Sequence, residues 1–234
     1  MAGAFHKHLN SMALFTALVA FGIFRIRADF LRFAITNIYM NGAIIGITIF
    51  GAAVCFLQIF SILPEYQWLR RYFTNKTRGM NDLPPAILRP IAIVLNRSRA
   101  DGVGVMSAQT LNNFLNIIMN RFEDQRDAVR YLTNILILIG LLGTFWGLLN
   151  TTGGFAEMLN NLSFEGDDVM ETVRSGLAGP MKSIGTAFST SFFGLSGSLI
   201  VGFLGLLTGF AQNAMFRELE EGLAARTVIK DYKD

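Results

Sequence analysis

The chain has 234 residues, 52% of them apolar and 16% charged, with a formal net charge of +3. Soluble domains carry about 25% charged residues and disorder needs low hydropathy with high charge, so a chain of mean hydropathy +0.42 fits neither class. A single cysteine excludes a disulfide scaffold, and 23 glycines without a collagen period suit closely packed membrane helices.

The placement of the charges divides the chain. The window from His8 to Phe24 holds 17 uncharged residues, the lower limit for spanning a bilayer. It reads as a first span, an interfacial helix or a signal-peptide core. The last reading is weakest, because Arg25, Ile26 and Arg27 follow where a small-residue cleavage site belongs. Three longer uncharged runs come next: 32 residues from Phe33 to Pro64, 26 from Tyr131 to Ala156 and 34 from Ser183 to Phe216. Each exceeds the roughly 20 residues that a helical span needs. The expected fold class is an all-α integral membrane protein with three or four transmembrane helices and long helices extending into the cytoplasm. In chain order the expected parts are residues 1–32 as a short N-terminal span or interfacial helix, 33–64 as a transmembrane helix and 65–130 as a cytoplasmic helical segment. Then come 131–156 as a transmembrane helix, 157–182 as an outer loop, 183–216 as a transmembrane helix that continues into the cytoplasm, and 217–230 as a tail. Residues 231–234, Asp-Tyr-Lys-Asp, look like the start of an epitope tag and are set aside.

Orientation follows from lysine and arginine. Residues 65–130 carry ten of them, and residues 157–182 only two. The positive-inside rule then places 65–130 and the C-terminal tail in the cytoplasm and 157–182 outside. Arg25, Arg27 and Arg32 oppose this by falling on the outer side. They are outvoted by the 65–130 segment, and arginines at helix ends snorkel to headgroups.

Within the cytoplasmic segment, Pro64, Trp68, Tyr72 and Phe73 suggest an interfacial aromatic belt, and three prolines between Asn81 and Pro90 mark a break. From Thr110 to Arg130 the apolar residues Leu111, Phe114, Leu115, Ile118, Phe122, Val129 and Leu132 recur mostly three and four apart. That spacing predicts an amphipathic helix feeding the uncharged run that starts at Tyr131. The last uncharged run would be roughly 50 Å long as a helix against ~30 Å of hydrocarbon. Its C-terminal part is therefore expected to protrude and pack on the Thr110 helix. About 66 helical residues make no soluble catalytic domain, so an enzyme is not expected.

Two stripes of small residues stand out. One comprises Ala187, Ser191, Gly194, Ser198, Gly202, Gly205 and Gly209; the other comprises Gly140, Thr144, Gly147 and Thr151. Their three- and four-residue spacings put each stripe on one helical face. Such faces let helices approach closely in lipid. They are either packing seams alone, or the hydroxyls of Thr144, Thr190 and Ser191 also line a polar path. The three long uncharged runs contain no Asp, Glu, His, Lys or Arg, whereas proton relays in membranes normally use such a residue. Proton movement would need a carboxylate from another polypeptide. Other motifs are weak. Gly176-x-x-x-x-Met181-Lys182-Ser183 lacks the glycine of a phosphate loop. His6 and His8 lack further metal ligands, Asp101-Gly102-Val103-Gly104 reads as a turn, Cys55 as a small apolar residue, and Asp167, Asp168 and Glu171 as helix-start charges.

The segment Ile139-Gly-Leu-Leu-Gly-Thr-Phe-Trp-Gly147, continuing to Gly154, resembles the third-span motif of the MotA/TolQ/ExbB proton-channel family, nearest to its TolQ- and ExbB-like members. Gly176-Leu-Ala-Gly-Pro180 and Thr190-Ser-Phe-Phe-Gly-Leu195 resemble that family's last span. By this resemblance Thr144 matches a channel-lining threonine and Ser191 matches the last-span threonine, with Thr190 beside it. Gly140, Gly147, Thr151, Ala187, Gly194 and Ser198 form the packing and pore face. Gly179 stands where ExbB-like members carry an acid. The resemblance implies a homopentamer in the bacterial inner membrane, multi-pass with a cytoplasmic C-terminus. It would surround a dimer of a single-span MotB/TolR/ExbD-like partner whose Asp carries protons, the pentamer turning about the dimer. No cofactor, metal or nucleic acid is implied. A scaffold without ion flow is the competing expectation.

Overall fold

The computed structural model describes residues 3–73, 86–89, 93, 108–161 and 169–224. Five helices have described bounds, in order: α1 (Gly3–Arg25), α2 (Arg27–Thr36), α3 (Ile38–Phe73), α4 (Ala108–Asn161) and α5 (Val169–Ala224). No strand occurs among the described residues. The all-α expectation holds, and four helices are long and apolar enough to cross a membrane, within His8–Arg25, Ile38–Leu69, Gln109–Asn160 and Val173–Ala224. The helix α4 has 54 residues and α5 has 56. At 1.5 Å per residue each is ~80 Å long, well beyond the ~30 Å of a bilayer's hydrocarbon.

Several expected boundaries move. The uncharged run starting at Phe33 does not begin a helix there. Residues 33–36 close α2, and the chain breaks at Asn37 (φ −141°, ψ 88°) before α3 starts at Ile38. Charge counting cannot see this break, because both sides of it are uncharged. Pro64 lies inside α3, as proline does in membrane helices whose neighbours re-satisfy the freed carbonyl. The expected outer loop 157–182 is helical on both sides of residues 162–168, since α4 and α5 outrun their apolar windows. Trp68 is buried with Tyr66 and Leu69 and is no interfacial anchor. The proposed turn at 101–104, Asp167, Asp168, most of the 81–90 break and residues 225–234 lie outside the described residues.

The chain forms two compact units. Unit 1 comprises 1–14, 54–128 and 204–234. Its core is built from helical stripes. Leu111, Leu115, Ile118 and Phe122 of α4 are buried, as are Cys55, Ile59, Ile62 and Leu69 of α3 and Leu204, Leu207, Ala211, Met215, Leu219 and Leu223 of α5. The amphipathic face read from the Thr110 region is thus the buried one. Its polar clamp joins three helices. Gln58 Nε2 donates to the Gln125 carbonyl (3.1 Å), Gln212 Nε2 to Gln125 Oε1 (2.8 Å) and Arg126 Nε to Gln212 Oε1 (2.9 Å). Arg126 Nη2 also donates to the Gly209 carbonyl (3.1 Å) and Asn213 Oδ1 (2.6 Å). The C-terminal part of the last helix therefore packs on the Thr110 helix. Removing the guanidinium by Arg126→Met strands Gln212 Oε1 in a fully buried side chain. It is expected to cost about 2–4 kcal/mol, read as an earlier midpoint of SDS-induced loss of helicity. An unchanged midpoint refutes the clamp.

Glu65, 2% exposed, supplies a second polar anchor in this unit. Its carboxylate accepts the N–H groups of Ile87 (2.6 Å) and Leu88 (3.1 Å), and Leu88 is fully buried. A turn far along the chain is thereby fixed to α3.

Unit 2 comprises 15–53 and 129–203. Its α2–α3 corner is held by side chains, because the last carbonyls of α2 have no partners within the helix. Asn37 Oδ1 accepts the Met40 N–H (3.2 Å), which caps α3. Fully buried Asn41 donates from Nδ2 to the carbonyl of Phe33 (2.8 Å) and lies 3.4 Å from that of Ala34. Ser189 of α5 adds a second donor to Phe33 (2.9 Å). Asn41 Oδ1 is buried without a partner among the described residues, so Asn41→Leu both removes donors and relieves an orphan acceptor. The expected net loss is about 1 kcal/mol. With Ser189→Ala added, Phe33 loses both donors and the loss rises to about 2–3 kcal/mol. Strictly additive single losses in thermal denaturation contradict this sharing.

Candidate ion-path and helix-packing site

The helices α4 and α5 pack antiparallel in unit 2 along a seam of small residues. Gly140 faces Gly194 and Ser191, Gly143 faces Thr190, Gly147 faces Ala187, and Gly154 faces Pro180. Gly140, Gly147 and Gly154 recur every seven residues, as do Pro180, Ala187 and Gly194. A seven-residue repeat keeps one seam facing its neighbour over many turns. Backbones meet here because no Cβ intervenes. A Cβ on Gly194 would lie 2.6 Å from the Leu136 carbonyl oxygen and 2.7 Å from Gly140 Cα; one on Gly147 would lie 2.5 Å from Ala187 Cβ. Lipid gives apolar helices no hydrophobic reason to associate, so such close packing supplies the attraction.

The expected site residues separate into two groups. Gly140, Gly147, Ala187 and Gly194 are inside the seam and buried. Thr151 is buried, and its hydroxyl donates to the Gly147 carbonyl (2.8 Å). Thr190 is fully buried, its methyl set against Gly143, its hydroxyl donating to the Thr186 carbonyl (3.0 Å). Ser198 is also buried. Thr144 and Ser191 differ: both are half-buried beside this closed seam. The Thr144 hydroxyl donates to the Leu141 carbonyl (2.6 Å) and keeps its acceptor capacity. The Ser191 hydroxyl has no hydrogen-bond partner among the described residues.

Two seam members escaped the periodicity reading. Gly143 belongs to the seam although it lies outside the 140–144–147 stripe, and Gly197 meets the Thr48 hydroxyl of α3. The signal for Gly143 was the Gly-x-x-Gly-x-x-x-Gly spacing of 140–143–147, which places three glycines, not two, on one side. Gly179 lines a cavity of about 330 Å³ with Gly154, Glu157, Met158, Ser175, Gly176 and Pro180. A carboxylate, that of Glu157, therefore stands on the wall of the cavity where Gly179 brings none. Among the described residues no cluster of three metal-ligating side chains occurs.

The fold and site define a multi-pass, all-α membrane protein with a glycine-rich antiparallel helix pair. No family model matches the chain, and no curated protein or solved structure is detectably similar to it.

Proposed function

We propose that the chain is the channel-forming subunit of an ion-driven rotary membrane motor of the MotA/TolQ/ExbB kind. Five copies surround two copies of a single-span partner, and the partner's Asp carries protons down the proton-motive force across the bacterial inner membrane. One observation carries this reading. The hydroxyls of Thr144 and Ser191 stay open beside a closed glycine seam, in helices whose uncharged runs hold no acid of their own. An ionised Asp kept from water costs several kcal/mol, so the borrowed carboxyl travels neutral. Hydroxyls donate to its ionised form and accept from its protonated form, which levels its passage. Transfer of one charge through 100 mV releases ~2.3 kcal/mol to drive the turn.

A second reading is a non-conducting scaffold. It is favoured by the seam itself, where Gly140, Gly143, Gly147, Ala187, Thr190 and Gly194 are all occupied in packing within one chain. The test is the mass of the complex purified with a co-expressed single-span, Asp-bearing protein. The motor reading expects five chains with two partners. A particle without partner helices overturns it.

A further inference from the structure

We infer that the corner between α1 and α2 is a binding site for the phosphate groups of anionic phospholipid, made by Arg25, Arg27 and Arg32. The helix α2 has ten residues, none of them buried. A helix of that length does not persist alone in water, and among the described residues it meets α5 through the edge-to-face contact of Phe30 with Phe193 (5.1 Å) and the Ser189 hydroxyl's bond to the Phe33 carbonyl (2.9 Å). Leu31, Phe33 and Ile35 are more than half exposed, as are Phe24 and Ile26 just before it. The helix is joined at either end to helices able to cross a membrane, α1 and α3. Its apolar side chains are therefore covered by the acyl boundary of the bilayer, the place of an interfacial helix.

The polar side chains of the corner identify the lipid. From residue 25 to 32 there are three arginines against one acid, Asp29. All three are exposed, and none is ion-paired among the described residues. The Arg27 guanidinium lies 5.5 Å from the Phe24 ring centroid, which holds the charge at the edge of the apolar surface. A guanidinium's fork of donors matches phosphate oxygens in pairs. On the orientation expected from lysine and arginine counts, these arginines fall on the side of the membrane where the positive-inside rule disfavours them. Pairing with anionic headgroups offsets that bias, and a zwitterionic surface does not.

The inference is independent of ion flow and is tested by lipid retention. The detergent-purified chain is exchanged into vesicles of phosphatidylcholine, or of phosphatidylcholine with phosphatidylglycerol, re-extracted and weighed by native mass spectrometry. Phosphatidylglycerol is expected to stay bound in preference to phosphatidylcholine and to be released by salt. The variant R25Q/R27Q/R32Q is expected to retain it about 100-fold less, at roughly fivefold per arginine. Arg174→Gln with Lys182→Gln, basic residues elsewhere on the same expected side, leaves retention unchanged. Equal retention of the two lipids by the unaltered chain overturns the inference whatever the variants do. So does a triple variant that keeps the lipid, a loss equally caused by the Arg174 and Lys182 changes, or a triple variant that loses only a second copy or an acidic partner protein.

Discussion

Gly194→Leu is expected to dissolve the α4–α5 seam and with it the assembled protein. Overpacking a core typically costs 1–3 kcal/mol because side chains and backbone can shift. Here the first added atom alone meets backbone, the Leu136 carbonyl at 2.6 Å and Gly140 Cα at 2.7 Å. Neither can swing aside as a side chain does. The helices must separate, and the contacts along Gly140, Gly143, Gly147 and their partners go together. The expected loss exceeds ~4 kcal/mol, seen as loss of the folded species in SDS titration followed by circular dichroism. The control is internal to the same helices. A Cβ on Gly153 or Gly185 would meet nothing within 4 Å, so alanine there is expected to be neutral or to add up to about 1 kcal/mol of helix propensity. If Gly194→Leu is tolerated as well as Gly153→Ala, the seam does not hold this protein together.

The second large effect separates conduction from packing. On the motor reading, Thr144→Ala and Ser191→Ala are each expected to cut ion flux by about 10–100-fold in vesicles holding the chain and the proposed single-span partner. That is the cost of leaving a buried carboxyl's polar atom without its partner, about 1–3 kcal/mol, at 1.36 kcal/mol per tenfold in rate. Neither change is expected to disturb assembly. Both side chains are half-buried, and Thr144 spends its proton on a carbonyl that its own helix already engages, so the stability change stays within about 0.5 kcal/mol. Thr144→Ser and Ser191→Thr keep the hydroxyl and are expected to keep most of the flux. The scaffold reading expects alanine and serine at 144 to behave alike. Thr190→Ala behaves differently again. Its methyl fills the space over Gly143, so its loss lowers stability by about 1 kcal/mol per missing methyl-sized contact and leaves flux per assembled complex nearly unchanged.

Much of the architecture was legible because a bilayer is a demanding solvent. Uncharged runs beyond about 20 residues admit few structures other than helices, and three- and four-residue spacings identified the buried face at Leu111, Leu115, Ile118 and Phe122. The break at Asn37 was illegible for the same reason that the spans were legible. Charge and hydropathy are uniform across it, and what makes it is a set of hydrogen bonds to Asn41 and to Ser189, 156 residues beyond Phe33. The helical reach of α4 and α5 past their apolar windows was likewise hidden, since polar residues continue a helix as readily as apolar ones once packing supports it.

The sequence by itself determined that this is a helical membrane chain with small-residue faces and no Asp, Glu, His, Lys or Arg in its long uncharged runs, because periodicity and charge are local properties of the string. Only the tertiary structure decided which hydroxyls are buried. Thr144, Thr190, Ser191 and Thr151 have nearly the same chemistry on paper. The antiparallel register of two helices closes the seam over Thr190 and Thr151 and leaves Thr144 and Ser191 half open. That register is fixed by where glycine lets two backbones touch, a relation between distant residues that no single helix contains.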